Sequence, residues 1–117
     1  MRATIKDTYS TDIDVESYVP DDPHDDGQWV SLLVGPADEE GEESFDVLVC
    51  TPRWLGRVVA DKGPQLGRHR LVVDPFDLPA AIAFLTAHVE SLEAPDWPAL
   101  AQLVARVGRW EFEDYQE

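Results

Sequence analysis

The sequence predicts an α+β domain occupying residues 1–117: a largely antiparallel sheet of about five strands with about three helices packed on one face. Three observations carry this. Short runs alternate apolar and polar side chains, as half-buried strands do. Three later segments open with a capping residue, two of them with a proline in the first turn, and place apolar side chains at helical spacing. Most neighbouring segments are also joined too briefly for a parallel crossover, which favours antiparallel pairing.

The first element is Arg2–Thr8, which sets Ala3 and Ile5 against Thr4 and Lys6 as a short strand. Tyr9–Gly27 holds seven acids, two prolines and no periodic pattern. It reads as an irregular loop pinned by Ile13, Val15, Tyr18 and Val19. A loop of that length inside a small domain is uncommon and often functional. Gln28–Val34 and Phe45–Cys50 form two arms of a hairpin, with Val30, Leu32, Val34, Phe45, Val47 and Val49 on the core side. Their join, Gly35–Glu43, is long for a hairpin, rich in acids and without an apolar side chain except Ala37.

Thr51-Pro52 starts a first helix, with Trp54, Leu55, Val58 and Val59 on one face, and Gly63-Pro64 stops it. Arg68–Asp74 is a further strand with Leu71, Val72 and Val73 wholly or partly buried. Asp77 caps the longest helix, whose Leu78, Ile82, Leu85, Val89 and Leu92 make a continuous stripe. That stripe suits a core and equally a dimer seam, so monomer and homodimer both stay open. Asp96 caps a third helix with Trp97, Leu100, Leu103, Val104 and Val107 inward, and Gly108 is expected to close it in a left-handed conformation. Arg109–Tyr115 is the last strand, with Trp110 and Phe112 on its apolar side.

Charge is the most unusual property. Twenty-four acids against nine bases leave a formal net charge of −15. From Asp7 to Pro52 there are fourteen acids and no Lys or Arg, whereas the remainder is nearly neutral. Such acidity disfavours nucleic acid and anionic membranes as partners and favours a cationic protein, or cations themselves. There is no run of eighteen apolar residues and no signal-like start, so a cytoplasmic location is expected. The lone Cys50 lies in a strand pattern and reads as a small buried hydrophobe.

Chemistry is hard to find. Aligning Asp21–Gly27 on a calcium loop puts Asp22, His24 and Asp26 at ligand positions, but Leu33 falls where a bidentate Glu is required. The three histidines have no metal-ligand spacing. Neither a nucleophile elbow nor a phosphate loop is present. No cofactor, metal or catalytic residue is therefore assigned, and the chain is not expected to be an enzyme. The candidate binding residues are Asp21, Asp22, Asp25 and Asp26 in the first loop and Asp38, Glu39, Glu40, Glu42 and Glu43 in the hairpin join. Tyr18 and Trp29 are the aromatic anchors expected beside them. These carboxylates are expected to form or border one surface, and changing the four aspartates of the first loop to Asn is expected to leave the melting temperature nearly unchanged.

Several segments resemble the immunity protein 8 family: Glu16-Ser17-Tyr18-Val19-Pro20, Gly41-Glu42-Glu43-Ser44-Phe45-Asp46-Val47, Thr51-Pro52-Arg53-Trp54-Leu55, and Trp110-Glu111-Phe112-Glu113-Asp114-Tyr115. Leu71 through Asp77 and the helix end Val89-Glu90-Ser91 match in the same order. Members of that family are encoded beside toxin genes in bacterial polymorphic toxin systems. The resemblance implies a non-catalytic protector that binds and neutralises a cognate toxin domain, with no established set of contact residues. A cationic nuclease is the toxin that the acidity would suit. Two other classes compete. A generic acidic mimic of nucleic acid would bind unrelated cationic proteins, and a small enzyme would show a pocket with a carboxylate of strongly raised pKa.

Overall fold

A computed structural model describes residues 1–111, with elements β1 (Ala3–Tyr9), β2 (Gly27–Pro36), β3 (Glu43–Cys50), α1 (Pro52–Lys62), β4 (Arg70–Val72), α2 (Leu78–Glu90), α3 (Trp97–Val104) and β5 (Arg109–Trp110). The expectation that the last strand runs on to Tyr115 falls, beyond Glu111, outside the described residues. The strands form one sheet in the order β1-β2-β3-β4, and β5 also pairs with β3. Pairing is antiparallel throughout except between β3 and β4, which run parallel. The chain from Thr51 to His69 contains a whole helix and is long enough for that crossover, so the sheet is largely antiparallel, as expected.

The hairpin is the centre of the sheet. Its register sets Val30 opposite Val47 and Leu32 opposite Phe45, so the alternation read from the sequence lies on one face. Those four residues, with Val34 and Val49, are fully buried. Leu78, Ala81, Leu85 and Val89 of α2 and Leu100, Ala101 and Val104 of α3 close over them as one cluster. Helix α1 contributes no fully buried residue. Its Trp54 lies against Gly27, where an added Cβ would come within 2.4 Å of the indole. Gly27 shares parity with Trp29 and not with Val30, so Trp54 meets the sheet from the side opposite α2 and α3. Leu48 and Cys50, paired with Trp29 and Gly27, are buried on that second side.

All three caps are as read. The side chains of Thr51, Asp77 and Asp96 accept the amides of Trp54, Ala80 and Ala99, and each helix has proline in its first turn. Several details differ from expectation. The strands run on to Pro36 and start again at Glu43, leaving a join of Ala37–Glu42. Gly35 is an inner strand residue on which the loop folds back: a Cβ there would meet the carbonyl oxygen of Gly41 at 2.0 Å. Gly108 does not adopt a left-handed conformation; the glycines that do are Gly41 and Gly63. Gly108 is small because the backbone passes over Phe45, whose Cβ would lie 3.0 Å from an added one. Helix α3 ends at Val104 with Ala105 as its cap, short of Val107. Val72 and Val59 are exposed, and Val19 is 80% exposed and pins nothing, whereas Ile13, Val15 and Tyr18 do pack on the core.

Trp110 is partly buried, with its ring stacked on Phe45 at 6.1 Å and its Nε1 donating to Glu43 at 2.9 Å. Cys50 is fully buried, and burial pushes its thiol pKa up.

Replacing Gly27 by Ala must displace Trp54 and loosen α1. We expect a loss of about 1–3 kcal/mol, as for overpacking elsewhere, read as a lower urea midpoint with a change in tryptophan fluorescence. An unaltered midpoint and spectrum would show that α1 does not rest on this strand.

Candidate functional site

The two acidic segments are held at opposite ends of β2. Asp21–Asp26 precedes Gly27, and the join Ala37–Glu42 comes after Pro36. Ten extended residues separate them, roughly 30 Å at about 3.3 Å per residue. The single acidic surface expected from the sequence is therefore two surfaces. A strand that is continuous through the core must send its flanking loops in opposite directions.

The first segment is exposed from Asp21 to His24 and turns inward at Asp25 and Asp26. Asp25 holds Arg57 of α1 in a forked contact, with Nη2 at 2.6 Å and Nε at 3.0 Å. Its side chain keeps only 19% of its accessible surface. The same hydrogen bond raises the pKa of Arg57 further. Asp22 approaches Arg53 at 3.6 Å and caps the amide of His24 at 2.9 Å. His24 meets Asp74 at 2.6 Å, and the amide of Phe76 donates to the carbonyl of Pro23.

Asp26 is a structural carboxylate. It accepts the Tyr18 hydroxyl, the Gly27 amide at 2.7 Å and the Gln28 side-chain amide at 3.0 Å. Its backbone is tied to Thr51 in both directions, with the Thr51 amide donating to its carbonyl at 2.9 Å. Tyr18 is correspondingly half-buried, with its ring edge on Phe76 at 5.8 Å. Burial, then the hydrogen bond to Asp26, pushes its phenol pKa up. Of the four aspartates only Asp21 is exposed and without a hydrogen-bond or ion-pair partner among the described residues. The expectation that all four could be neutralised without cost thus fails at Asp25 and Asp26, whose acceptor roles a count of charges does not reveal.

The second segment is different. Asp38, Glu39, Glu40 and Glu42 are all exposed. None of their carboxylates has a hydrogen-bond or ion-pair partner among the described residues. The backbone beneath them is nevertheless fixed: Lys6 Nζ donates to the carbonyl of Glu39 at 2.6 Å, and the carbonyl of Gly41 lies over Gly35. Glu43 stands at the strand end and accepts Trp110 Nε1. Four free charges are thus displayed on a braced turn.

Trp29 stands three residues after Asp26, on the second side of the sheet. It is 44% exposed and lines an open groove of about 410 Å³ with Pro64, Leu66, Arg68, Arg70 and Arg109. Sequence reading missed this cationic groove. The near-neutral balance of the second half was its only trace, because the parallel placement of β4 is what brings Arg70 level with Trp29 across Leu48. Among the described residues no three His, Cys, Asp or Glu side chains are grouped to hold a metal ion, and no helix is long and apolar enough to cross a membrane.

The different standing of the aspartates is measurable. Asp26→Ala strands the Tyr18 hydroxyl and the Gly27 amide and should cost about 2–3 kcal/mol, whereas Asp21→Asn should stay within about 0.5 kcal/mol. Equal thermal melts for the two variants would overturn this division.

No curated protein and no solved structure gives a significant match to the chain. A protein-family model does match, over residues 3–115 and thus through every described strand and helix. That coverage gives the assignment: the chain belongs to the immunity protein 8 family.

Proposed function

We propose that this protein protects its cell by binding and neutralising a cognate toxin domain with a cationic surface, a nuclease being the class that surface suits best. Family membership supports the immunity role and a toxin as protein partner. The observation that carries the finer reading is the braced turn with four unpaired carboxylates, Asp38, Glu39, Glu40 and Glu42. A groove built for phosphates is lined by Lys and Arg, and carboxylates held where phosphates would lie complement it. The loop backbone is already fixed by Lys6 and Gly35, so less ordering entropy opposes binding. The cytoplasm is where such a protector would meet a toxin that attacks nucleic acid.

Speed is what this charge supplies. Complementary fields raise association toward about 10⁸–10⁹ M⁻¹s⁻¹ from about 10⁵–10⁶ for neutral patches. Exposed ion pairs add only about 0–1 kcal/mol each, so this charge governs the rate of capture more than the strength of the complex. The first acidic segment has a lesser part in this reading: Asp22 and Asp25 are engaged with α1, and Asp21 adds to the general field.

The test is stopped-flow association with the toxin domain encoded by the neighbouring gene. Changing Asp38, Glu39, Glu40 and Glu42 together to their amides should slow association at least tenfold at low ionic strength and flatten its salt dependence. The thermal midpoint should hold. An unaltered association rate would remove this turn from the capture surface.

A further inference from the structure

The cationic groove is the exception on a strongly acidic molecule. On the sheet side facing away from the α2–α3 core, two neighbouring cross-strand rows share a face. One is Trp29, Leu48 and Arg70, and the next is Ser31, Asp46 and Arg109. In the second row Asp46 accepts the Ser31 hydroxyl at 2.6 Å. It makes no ion pair with Arg109, its own backbone partner across the ladder. Arg109 is exposed and has no hydrogen-bond or ion-pair partner among the described residues. Arg70 is less satisfied still. Its Nε is buried without an acceptor, and its sole side-chain hydrogen bond among the described residues is a long one, 3.4 Å, from Nη1 to the carbonyl of Arg68.

Buried donors are nearly always paired, and a chain with twenty-four acids has carboxylates to spare. Elsewhere it uses them: Arg2, Arg53 and Arg57 each meet one. Among the described residues two guanidinium groups are left without one, side by side in a groove walled by Trp29 and by the 81% exposed Leu66, and together they offer a site for an anionic acceptor.

We infer that this groove binds a short acidic segment of a protein partner, with carboxylates on Arg70 and Arg109 and apolar atoms against Trp29 and Leu66. Guanidinium forks match carboxylates two bonds at a time, and Arg beside Trp is the composition of binding hot spots. Phosphate esters share the negative charge. A nucleic acid, however, brings one charge at every nucleotide toward a body already at −15, whereas a peptide brings two or three with side chains for the apolar walls. The site is independent of the acidic turn: it has the opposite polarity and lies toward the other end of β2, so either assignment can fail alone.

The experiment uses the whole chain and tracks the arginine Nε–H resonances by NMR while hexaglutamate is added at low ionic strength. The signals of Arg70 and Arg109 should shift together, and Arg70→Gln with Arg109→Gln should weaken binding at least tenfold. Lys62→Gln, on the exposed last turn of α1, should leave it unchanged. If the double variant fails to fold, Arg109→Gln alone, at an exposed position, should still weaken binding several-fold. Absent shifts at millimolar peptide, or equal affinity in the arginine variants, overturns the inference. So does tighter binding of inorganic phosphate or of a ten-residue oligothymidylate at the same resonances, since the groove would then recognise phosphate instead.

Discussion

The antiparallel ladder between β2 and β3, continuous from Gly27↔Cys50 to Val34↔Glu43, is the constraint that governs the molecule. A strand pair without a bulge fixes parity along its whole length. It puts six large apolar side chains on the α2–α3 side and leaves Trp29, Ser31, Asp46 and Leu48 on the other. A slip of one residue would exchange the two sets, placing Asp46 and Ser31 in the core. The ladder also sets distances. Because β2 runs the full width of the sheet, the loop entering it and the loop leaving it cannot meet, and the molecule carries its acidity at two poles.

Much of the architecture was legible because it rests on local chemistry. Thr51-Pro52, Asp77 with Pro79 and Asp96 with Pro98 are start signals whose hydroxyl or carboxylate satisfies a free amide within three residues, so neighbours suffice to identify them. The α2 stripe was equally plain, since Leu78, Leu85 and Val89 repeat at helical spacing and are buried. The features that escaped depend on residues far apart in the chain. Gly27 is small because of Trp54, Gly35 because of Gly41, and Gly108 because of Phe45. Gly108 stands after α3 where a left-handed closing residue is common, yet its smallness answers a strand far back in the chain. Which strand would make the parallel exception likewise depends on contacts between distant segments.

The candidate site divides along that line too. Exposure of Asp38–Glu42 was readable, because a run of acids between two strands has nowhere to go but solvent. The fate of Asp22, Asp25 and Asp26 was not, since their partners Arg53, Arg57 and Tyr18 are supplied by α1 and by the far part of the loop. Sequence shows how many charges a segment holds. Whether they are neutralised internally depends on the groups that the fold brings near, and here two acid-rich segments have opposite roles. The Asp25–Arg57 fork and the Asp26 network fasten a long irregular segment to the body, while the turn at the other pole keeps its charges available.

Cys50 sits where β3 meets both β2 and β4, fully enclosed, with its thiol kept protonated by burial. A sulfur in that position is inert while the central strand stays closed. Its rate of alkylation therefore counts departures of β2, β4 or α1 from this end of β3 rather than motions of the acidic turn. The protein thus carries a built-in clock for the integrity of its middle, one that a bound partner would slow without having to touch it.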